Sequence, residues 1–283
     1  MFLDALLDTA LDSLRLLPFL FIAYLAMELL EEKAEEKTVA AVHKAGRWGP
    51  VAGAVLGVVP QCGFSAATAN LYAGGIITRG TMLAVFLSTS DEMLPILISG
   101  GAPAGFIARV LLFKAAAGMV LGAAADALER ALGRKREKSI HELCEQEHCR
   151  CEEGVVVSAL RHTMKIFLFL FAVTLALNLA VELLGAERLG SFVLNRPVLG
   201  ELLAGLIGLI PNCAGSVVLT GLYLQGAATA GAMVSGLLVG SGVGLLVLLR
   251  MNRDWRDNLI TLGLLYFGGV ALGLLAGALG IFS

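Results

Sequence analysis

Charged residues are scarce in this chain. Asp, Glu, Lys and Arg make up 16% of its 283 residues, whereas soluble globular domains carry about 25%. Hydrophobic residues make up 57%, and the mean hydropathy is +0.82. This composition excludes a soluble protein and predicts a chain that crosses a membrane several times. The sequence also lacks a glycine-rich phosphate-binding loop, so we expect no step driven by nucleotide hydrolysis.

Proline, cysteine and tyrosine are rare as well, with 7, 5 and 4 copies, yet several of these copies recur in one register. Pro60-Gln61-Cys62 and Pro211-Asn212-Cys213 superimpose without gaps at an offset of 151 residues. The matched positions are Gly57, Pro60, Cys62, Ser65, Tyr72, Gly75, Thr78, Gly80, Met82 and Ser90 with Gly208, Pro211, Cys213, Ser216, Tyr223, Gly226, Thr229, Gly231, Met233 and Ser241. The chain therefore reads as two related halves, each interrupted by a Pro-polar-Cys break.

Six apolar runs are long enough to span a bilayer, which takes about 20 residues in a helix. They cover roughly 14–30, 80–99, 104–128, 162–184, 229–249 and 258–280. Two pairs of shorter runs, 48–59 with 64–77 and 198–210 with 215–227, are each split by a Pro-polar-Cys motif. A helix of about 13 residues reaches only ~20 Å. Each pair is therefore expected to form two tilted short helices or a re-entrant hairpin.

Basic residues predict the orientation of the chain, because cytoplasmic loops are rich in Lys and Arg. The segment from Arg130 to Lys165 carries eight of them and is expected to be cytoplasmic, which places both termini outside. The two halves then cross the membrane in opposite directions. We predict an all-α, multi-pass protein of the cell inner membrane, with two inverted five-helix repeats whose broken or re-entrant helices meet at the midplane. The repeats are residues 1–129 and 161–283, joined by a cytoplasmic linker at 130–160.

The two Pro-polar-Cys motifs place irregular backbone at membrane depth, because proline cannot continue a helix. Such backbone is tolerated there only inside protein or along a cavity, and in inverted-repeat transporters it forms the substrate site. We expect the motif side chains to face each other as ligands of a transported metal: Gln61, Cys62 and Ser65 with Asn212, Cys213 and Ser216. Two thiols suit a soft or borderline metal, or a thiophilic metalloid. The alternative is that the cysteines are small core residues and the prolines only kink the helices.

Two adjacent carboxylates, Asp91 and Glu92, lie inside an apolar run. Ionisable groups at membrane depth are costly and by default mark an ion or proton path. Their counterparts in the second half are Gly242 and Val243, so only one half carries this charge. We assign both carboxylates to the transport site, as metal ligands or as the proton-exchanging group. The alternative is a structural ion pair, with Lys114 as the partner of one of them.

The linker carries a second set of metal-binding side chains, with five N or S donors in eleven residues: His141, Cys144, His148, Cys149 and Cys151. This is more than one tetrahedral site requires, although the spacing is not that of a standard zinc motif. The linker is interpreted either as a metal-capturing or metal-sensing segment or as a flexible charged connector that carries thiols.

The stretches VVPQCGFSAATANLYAGG, FLSTSDEMLPIL and LIPNCAGSVVLTGLYLQG, together with the Cys/His-bearing linker, resemble the ten-helix heavy-metal exporter family of bacteria and archaea. This is an arsenic-permease-like group whose members are labelled arsenic efflux proteins or manganese transporters. The resemblance covers nearly the whole chain. It implies efflux of a metal or metalloid ion across the inner membrane, with Cys62, Asp91, Glu92 and Cys213 at the matching motif positions. It does not specify the ion.

The sequence thus favours a secondary transporter that exports a divalent cation such as manganese, or a soft metal or arsenite, using an ion gradient or the membrane potential. No enzymatic activity and no bound cofactor are expected. Two alternatives remain: a permease for a small sulfur-containing or inorganic anion, and a membrane thiol oxidoreductase using Cys62 and Cys213. The expected partners are the transported ion and the lipid bilayer, without nucleic acid. A homodimer could form through the small-residue face of Gly269, Gly273 and Gly277.

Overall fold

The computed structural model describes residues 48–60, 63–90, 92–133 and 196–282, with scattered single residues and pairs between 17 and 25 and between 156 and 175. These residues form helices and turns, without a strand. The helices are α1 (Gly49–Gly57), α2 (Gly63–Ala73), α3 (Arg79–Ser88), α4 (Met93–Ser99), α5 (Ala104–Ala131), α6 (Leu199–Gly208), α7 (Ala214–Leu224), α8 (Ala230–Val239), α9 (Gly244–Met251) and α10 (Trp255–Ala278).

Within the described residues, four segments can each cross a membrane by length and composition. They are Arg79–Ser99, which contains α3 and α4, Ala230–Met251, which contains α8 and α9, and the long helices α5 and α10. The prediction of a helical protein with several membrane-spanning segments is confirmed to this extent. The predicted runs 14–30 and 162–184 lie largely outside the described residues. Both predicted pairs of short helices are present, as α1 with α2 and α6 with α7, each divided at its Pro-polar-Cys motif.

Helix boundaries repeat along the chain. Helices α7, α8, α9 and α10 each begin 151 residues after α2, α3, α4 and α5. The local devices recur at the same offset, since the hydroxyls of Thr78 and Thr229 accept from the backbone N–H three residues on and so begin α3 and α8. In the turn before each threonine, Gly75 and Gly226 adopt left-handed φ values of 74° and 73°, which glycine alone adopts without strain.

The long helices α5 and α10, which correspond under this offset, lie antiparallel. The rings of Phe113 and Phe282 are 5.5 Å apart, near the start of α5 and just after α10. Further along, a Cβ added to Gly268 would lie 2.8 Å from Leu121 Cδ1. As the residue number rises along α5, the residue number of the contact partner in or after α10 therefore decreases.

Each half also packs a short helix on the other half. Helix α2 lies against α9, and its counterpart α7 lies against α4. The first contact is close, because a Cβ on Gly244 would lie 2.8 Å from Ser65 Cβ, and in the second a Cβ on Gly100 would lie 3.2 Å from Leu224 Cδ2. The two halves are interlocked rather than placed side by side.

Glycines allow the helices within each half to approach closely. A Cβ added to Gly53 or Gly57 of α1 would lie 2.8 Å or 2.7 Å from a backbone oxygen of α3. In the second half, a Cβ on Gly273 would lie 2.6 Å from Ser235 Cα. Small residues at such crossings are typical of membrane helix pairs. The glycine face of α10, considered as an alternative dimer surface, therefore lies against α8 of the same chain.

Candidate functional site

A small cavity with polar side chains in its wall lies where the two interrupted spans meet. Its walls come from the break after α3, the break after α8 and the turn between α6 and α7: Thr89, Ser90, Gly208, Asn212, Gly215, Ser216, Leu237, Gly240 and Gly242. Hydroxyl and amide side chains supply its polar surface, and the glycines expose backbone. Thr89 and Gly240 correspond under the 151-residue offset, and both have extended ψ angles, of 124° and 106°. The cavity is therefore built from both halves at the point where their helices are broken.

The helix lengths place this cavity about halfway along the helix bundle. Helices α3 and α8 start at opposite ends of the bundle, since Arg79 contacts the start of α10 whereas a Cβ on Gly231 would lie 3.2 Å from Gly277 Cα near the end of α10. Each helix has 10 residues and so advances ~15 Å, about half of the ~30 Å hydrocarbon core. Their last turns meet at the cavity.

The Pro-Asn-Cys motif forms a turn that begins α7. Asn212 is buried, and its Oδ1 accepts from the backbone N–H of Ala214 at 3.1 Å. Ser216 Oγ donates to the carbonyl oxygen of Cys213 at 2.7 Å. Cys213 itself is buried at the N-cap position of α7. The Asn212 amide and the Ser216 hydroxyl thereby lie at the cavity, and Cys213 directly follows Asn212 in the chain.

The break after α3 is tied to the other Pro-polar-Cys motif. Ser90 Oγ donates to the carbonyl oxygen of Val58 at 2.6 Å, and Thr89 Oγ1 donates to that of Val85 at 2.7 Å. Carbonyls at the end of a helix lack intrahelical partners, and Val58 immediately follows α1. The Ser90 hydroxyl satisfies one of these carbonyls and holds the break beside Pro60.

A buried cation lies beside the cavity. Lys114 of α5 has no exposed surface, and its ammonium donates to the carbonyl oxygen of Leu237, which lines the cavity. Leu237 lies in the last turn of α8, where the backbone carbonyls carry the negative end of the helix dipole. The counterpart of Lys114 is Leu265, so this charge, like Asp91 and Glu92, belongs to the first half alone.

The sequence-predicted site residues are distributed as follows. Asn212 and Ser216 line the cavity, and Cys213 adjoins it along the chain. Ser65 is fully buried against Gly244, and Glu92 is partly buried as the N-cap residue of α4.

Other predicted donors lie outside the described residues: Gln61, Cys62, Asp91, His141, Cys144, His148, Cys149 and Cys151. Within the described ranges, no three His, Cys, Asp or Glu side chains come close enough to hold a metal. Asp91 directly follows the cavity residue Ser90 in sequence.

One end of the bundle is closed by a buried ionic network, which we call the charged end: Tyr72, Arg79, Glu129 and Asp257. The Arg79 guanidinium forms ion pairs with Asp257 and, at 3.1 Å, with Glu129. Its Nε donates to the Tyr72 hydroxyl at 3.1 Å, and that hydroxyl donates to Asp257 Oδ2 at 2.9 Å. Asn252 Nδ2 adds a bond of 2.6 Å to the same oxygen. The network joins α2, α3 and α5 of the first half to α10 of the second.

The opposite end, which we call the aromatic end, is closed by three aromatic side chains: Phe106, Tyr223 and Phe282. Tyr223 corresponds to Tyr72, and Phe106 corresponds to Asp257. The rings of Phe106 and Tyr223 stack with centroids 5.2 Å apart and planes 5° apart, and Phe282 meets Phe106 edge-on at 6.0 Å. The same junction of helices is therefore closed by an ion pair on one side of the cavity and by stacked rings on the other.

Sequence analysis did not identify either closure as part of the site. No motif singled out Arg79, and Tyr72 and Asp257, which are hydrogen-bonded, lie 185 residues apart. The sequence signal that could have indicated the two closures is the recurrence of tyrosine at positions 72 and 223. Tyr72 contacts Asp257 of α10, and Tyr223 contacts Phe106 of α5.

Comparison with protein-family models, curated proteins and solved structures finds no match to this chain.

Proposed function

We propose that this protein is a secondary transporter that exports a metal or metalloid ion across the inner membrane. The observation that carries the proposal is the mid-depth cavity, which both halves line with polar groups at the breaks of two membrane-length segments. Broken helices that meet at mid-depth are the usual construction of a transport site. A purely structural kink would not require hydroxyl and amide groups facing a cavity.

The proposal includes two inverted repeats. It is supported by the constant offset of the helix starts, by the antiparallel course of α5 and α10, and by the reciprocal packing of α2 on α9 and of α7 on α4. The runs 14–30 and 162–184 would each add one helix, which completes two sets of five. The 130–160 linker would lie in the cytoplasm, with both termini outside.

The ligand set combines oxygen and sulfur. Ser90, Asn212 and Ser216 offer hydroxyl and amide oxygens at the cavity, and we assign Gln61, Cys62, Ser65, Asp91, Glu92 and Cys213 to the same transport site. Oxygen ligands favour manganese, whereas thiolates favour zinc, cadmium, copper or arsenite. The linker donors His141, Cys144, His148, Cys149 and Cys151 would capture the ion before transport.

Transport would proceed by opening one end of the bundle at a time. The charged end would face the cytoplasm, where basic residues are favoured, and the aromatic end would face outward. Within the described part of the chain, the charged end and the aromatic end are both closed, which is the arrangement that an occluded state of such a cycle would require. A metal ion would reach the cavity when the Arg79 network separates and would leave when Phe106 and Tyr223 unstack.

A second cargo is favoured by one observation. The fully buried Lys114 places a positive charge against a cavity residue, which would suit a small sulfur-containing or inorganic anion. Lys114→Met should abolish transport of such an anion, whereas a cation should still be able to enter the site.

The test uses purified protein in liposomes. Fluxes of Mn²⁺, Zn²⁺, Cd²⁺ and arsenite are compared for wild type, Asp91→Asn, Ser216→Ala, and the double variant in which Cys62 and Cys213 become Ser. Ser99→Ala is the matched control, because this exposed hydroxyl bonds only within its own helix. Loss of Mn²⁺ flux in Asp91→Asn supports a carboxylate-containing cation site, and loss of arsenite or Cd²⁺ flux only without the thiols supports a soft-metal site. The metal proposal fails if none of the four ions moves.

A further inference from the structure

Helices α3 and α8 correspond residue by residue, but their ends at the cavity differ in chemistry. At the end of α3, the hydroxyls of Ser88 and Thr89 each donate to a backbone carbonyl one turn earlier, at 2.7 Å. Their counterparts at the end of α8 are Val239 and Gly240, whose side chains cannot donate a hydrogen bond. The end of α8 therefore lacks the two hydroxyls that serve the end of α3.

An ammonium group serves the end of α8 instead. The chain leaves the helix at Gly240, whose ψ is 106°, and carbonyls in the last turn of a helix lack intrahelical donors. Lys114 Nζ donates to one of these carbonyl oxygens, that of Leu237. The counterpart of Lys114 in α10 is Leu265, so the second half has no ammonium group at the corresponding position. A cation at one helix end thus replaces hydroxyls at the other.

The packing of α5 on α3 places Lys114 between the two breaks. A Cβ added to Gly118 would lie 2.6 Å from the carbonyl oxygen of Ala84, and the two helices run in opposite directions. One turn further along this contact, Lys114 of α5 lies level with Ser88, the last residue of α3. Because its ammonium group reaches α8, the Lys114 side chain extends from the break after α3 to the end of α8.

The end of α8 has the features of a cation-binding site. Carbonyl oxygens and the negative end of the helix dipole meet at a break beside a cavity, and transporters bind small cations at helix ends of this kind. A charge at membrane depth is costly unless backbone carbonyls or an opposite charge balance it. Lys114 has no exposed surface and bonds such a carbonyl. The chain itself therefore supplies the cation at this site.

We propose that the carbonyl end of α8 is a binding site for a small monovalent cation, and that the Lys114 ammonium group is its built-in occupant. A cargo cation has to displace this ammonium from Leu237 before it can bind at the break, and the ammonium returns when the cargo leaves. Lys114 thus competes with a cation rather than attracting an anion. Its role in the cycle rests on the proposed transport function, whereas the cation site itself does not.

Chemical rescue tests the site without any cargo. Lys114→Ala removes three carbon atoms and the ammonium nitrogen, which together correspond to propylammonium. This compound should raise the melting temperature of the purified variant by several degrees, because a ligand that binds only the folded state stabilises it. It should leave wild type unchanged, because Lys114 fills the site. 1-Propanol has the same shape without the charge, and tetraethylammonium chloride matches the ionic strength with a cation too large for the site.

The matched control variant is Leu265→Ala, which truncates the fully buried counterpart of Lys114. The proposal is supported if propylammonium stabilises Lys114→Ala but 1-propanol does not, and if Leu265→Ala shows no such effect. Equal stabilisation by the two compounds, no stabilisation, or the same effect in Leu265→Ala overturns it. A Lys114→Ala variant that folds only with propylammonium present counts as rescued, and one that propylammonium does not recover also overturns the proposal.

Cargo binding then tests the competition in Lys114→Met, which keeps the length of the side chain without its charge. Whichever of Mn²⁺, Zn²⁺ and Cd²⁺ wild type transports should bind at least about tenfold more tightly to this variant, since a hydrogen bond to a charged group is equivalent to such a factor. Unchanged or weaker binding refutes the competition. If wild type moves none of these ions, the transport proposal fails for divalent cations, and the melting experiment still decides whether the end of α8 binds a cation.

Discussion

Removing the central cation of the charged end should open the cavity toward that side. In Arg79→Gln, the side chains of Asp257 and Glu129, 11% and 23% exposed, lose their shared counter-ion. Breaking a buried ion pair from one side costs about 3–5 kcal/mol. We use the lower value of ~3 kcal/mol, because Asp257 keeps bonds from Tyr72 and Asn252. If this cost falls on the closed state alone, the open population rises about 100-fold, at 1.4 kcal/mol per factor of ten.

The assay uses Cys213 as the reporter, since this buried thiol adjoins the cavity residue Asn212. In a background with the other four cysteines replaced, a membrane-impermeant maleimide should react about 100-fold faster in Arg79→Gln than with Arg79 retained, and only from the charged side. Arg109→Gln is the control, because this arginine is exposed at the aromatic end. Equal rates in the two variants, or faster reaction from the aromatic side, would refute the reasoning.

A double variant separates the ion pair from other effects of the substitution. In Arg79→Gln with Asp257→Asn, both charges are absent, so no carboxylate at position 257 stays buried without its cation. The combined loss of closure should be smaller than the sum of the two single losses, by about 1–3 kcal/mol. Additive losses would mean that the two residues do not act as a pair.

Three further predictions concern the aromatic end, the helix crossing and the break. Tyr223→Ala removes the stack on Phe106, worth about 0.5–1.5 kcal/mol beyond its buried area, and should speed labelling of Cys213 from the aromatic side only. Gly208→Ala brings a Cβ to 3.2 Å from Gly240 N and into the carbonyl oxygen of Gly236, so the free energy of unfolding should fall by ~1–3 kcal/mol in a thermal melt. The control Gly221→Ala adds a Cβ where no described atom lies within 4 Å and should not lower the stability. Equal stability of the two variants would contradict the close crossing. Ser90→Ala leaves the Val58 carbonyl without the bond at the break and should cost ~1–3 kcal/mol, against a change within ~0.5 kcal/mol for Ser99→Ala.

The broken helices were predictable because proline and glycine act locally. Pro60 and Pro211 cannot continue a helix, and each pair of short helices is divided at one of these motifs in the structure. The recurrence of rare residues at one offset likewise anticipated the recurrence of helix starts. Asn212 and Ser216, singled out beside the second motif because amide and hydroxyl groups at membrane depth need partners, line the cavity, and their role as metal ligands stays a prediction.

The two closures and Glu201 could not be predicted in the same way. Arg79 and Asp257 lie 178 residues apart, and no local pattern indicates that a turn and a later helix start will meet. Glu201 could not be predicted for another reason. A carboxyl lies close to the glycine that follows the start of α3 and of α8, Asp126 beside Gly80 and Glu201 beside Gly231, but Asp126 belongs to α5 and Glu201 to α6. A position shared in space but not in sequence register is invisible to an alignment of the two halves.

The interlocking of α2 with α9 also sets the order in which the protein can be completed during synthesis. Gly244, which packs on Ser65, is made about 180 residues after α2 begins, which at roughly 5–20 residues per second takes about 10–40 s. Helix α7, by contrast, finds α4 already synthesised when it emerges. The first half is therefore synthesised well before its own packing can be completed. Helix α2 gains its contact with α9 only when almost the last helix has entered the membrane, and until then the insertion machinery has to keep α2 away from lipid.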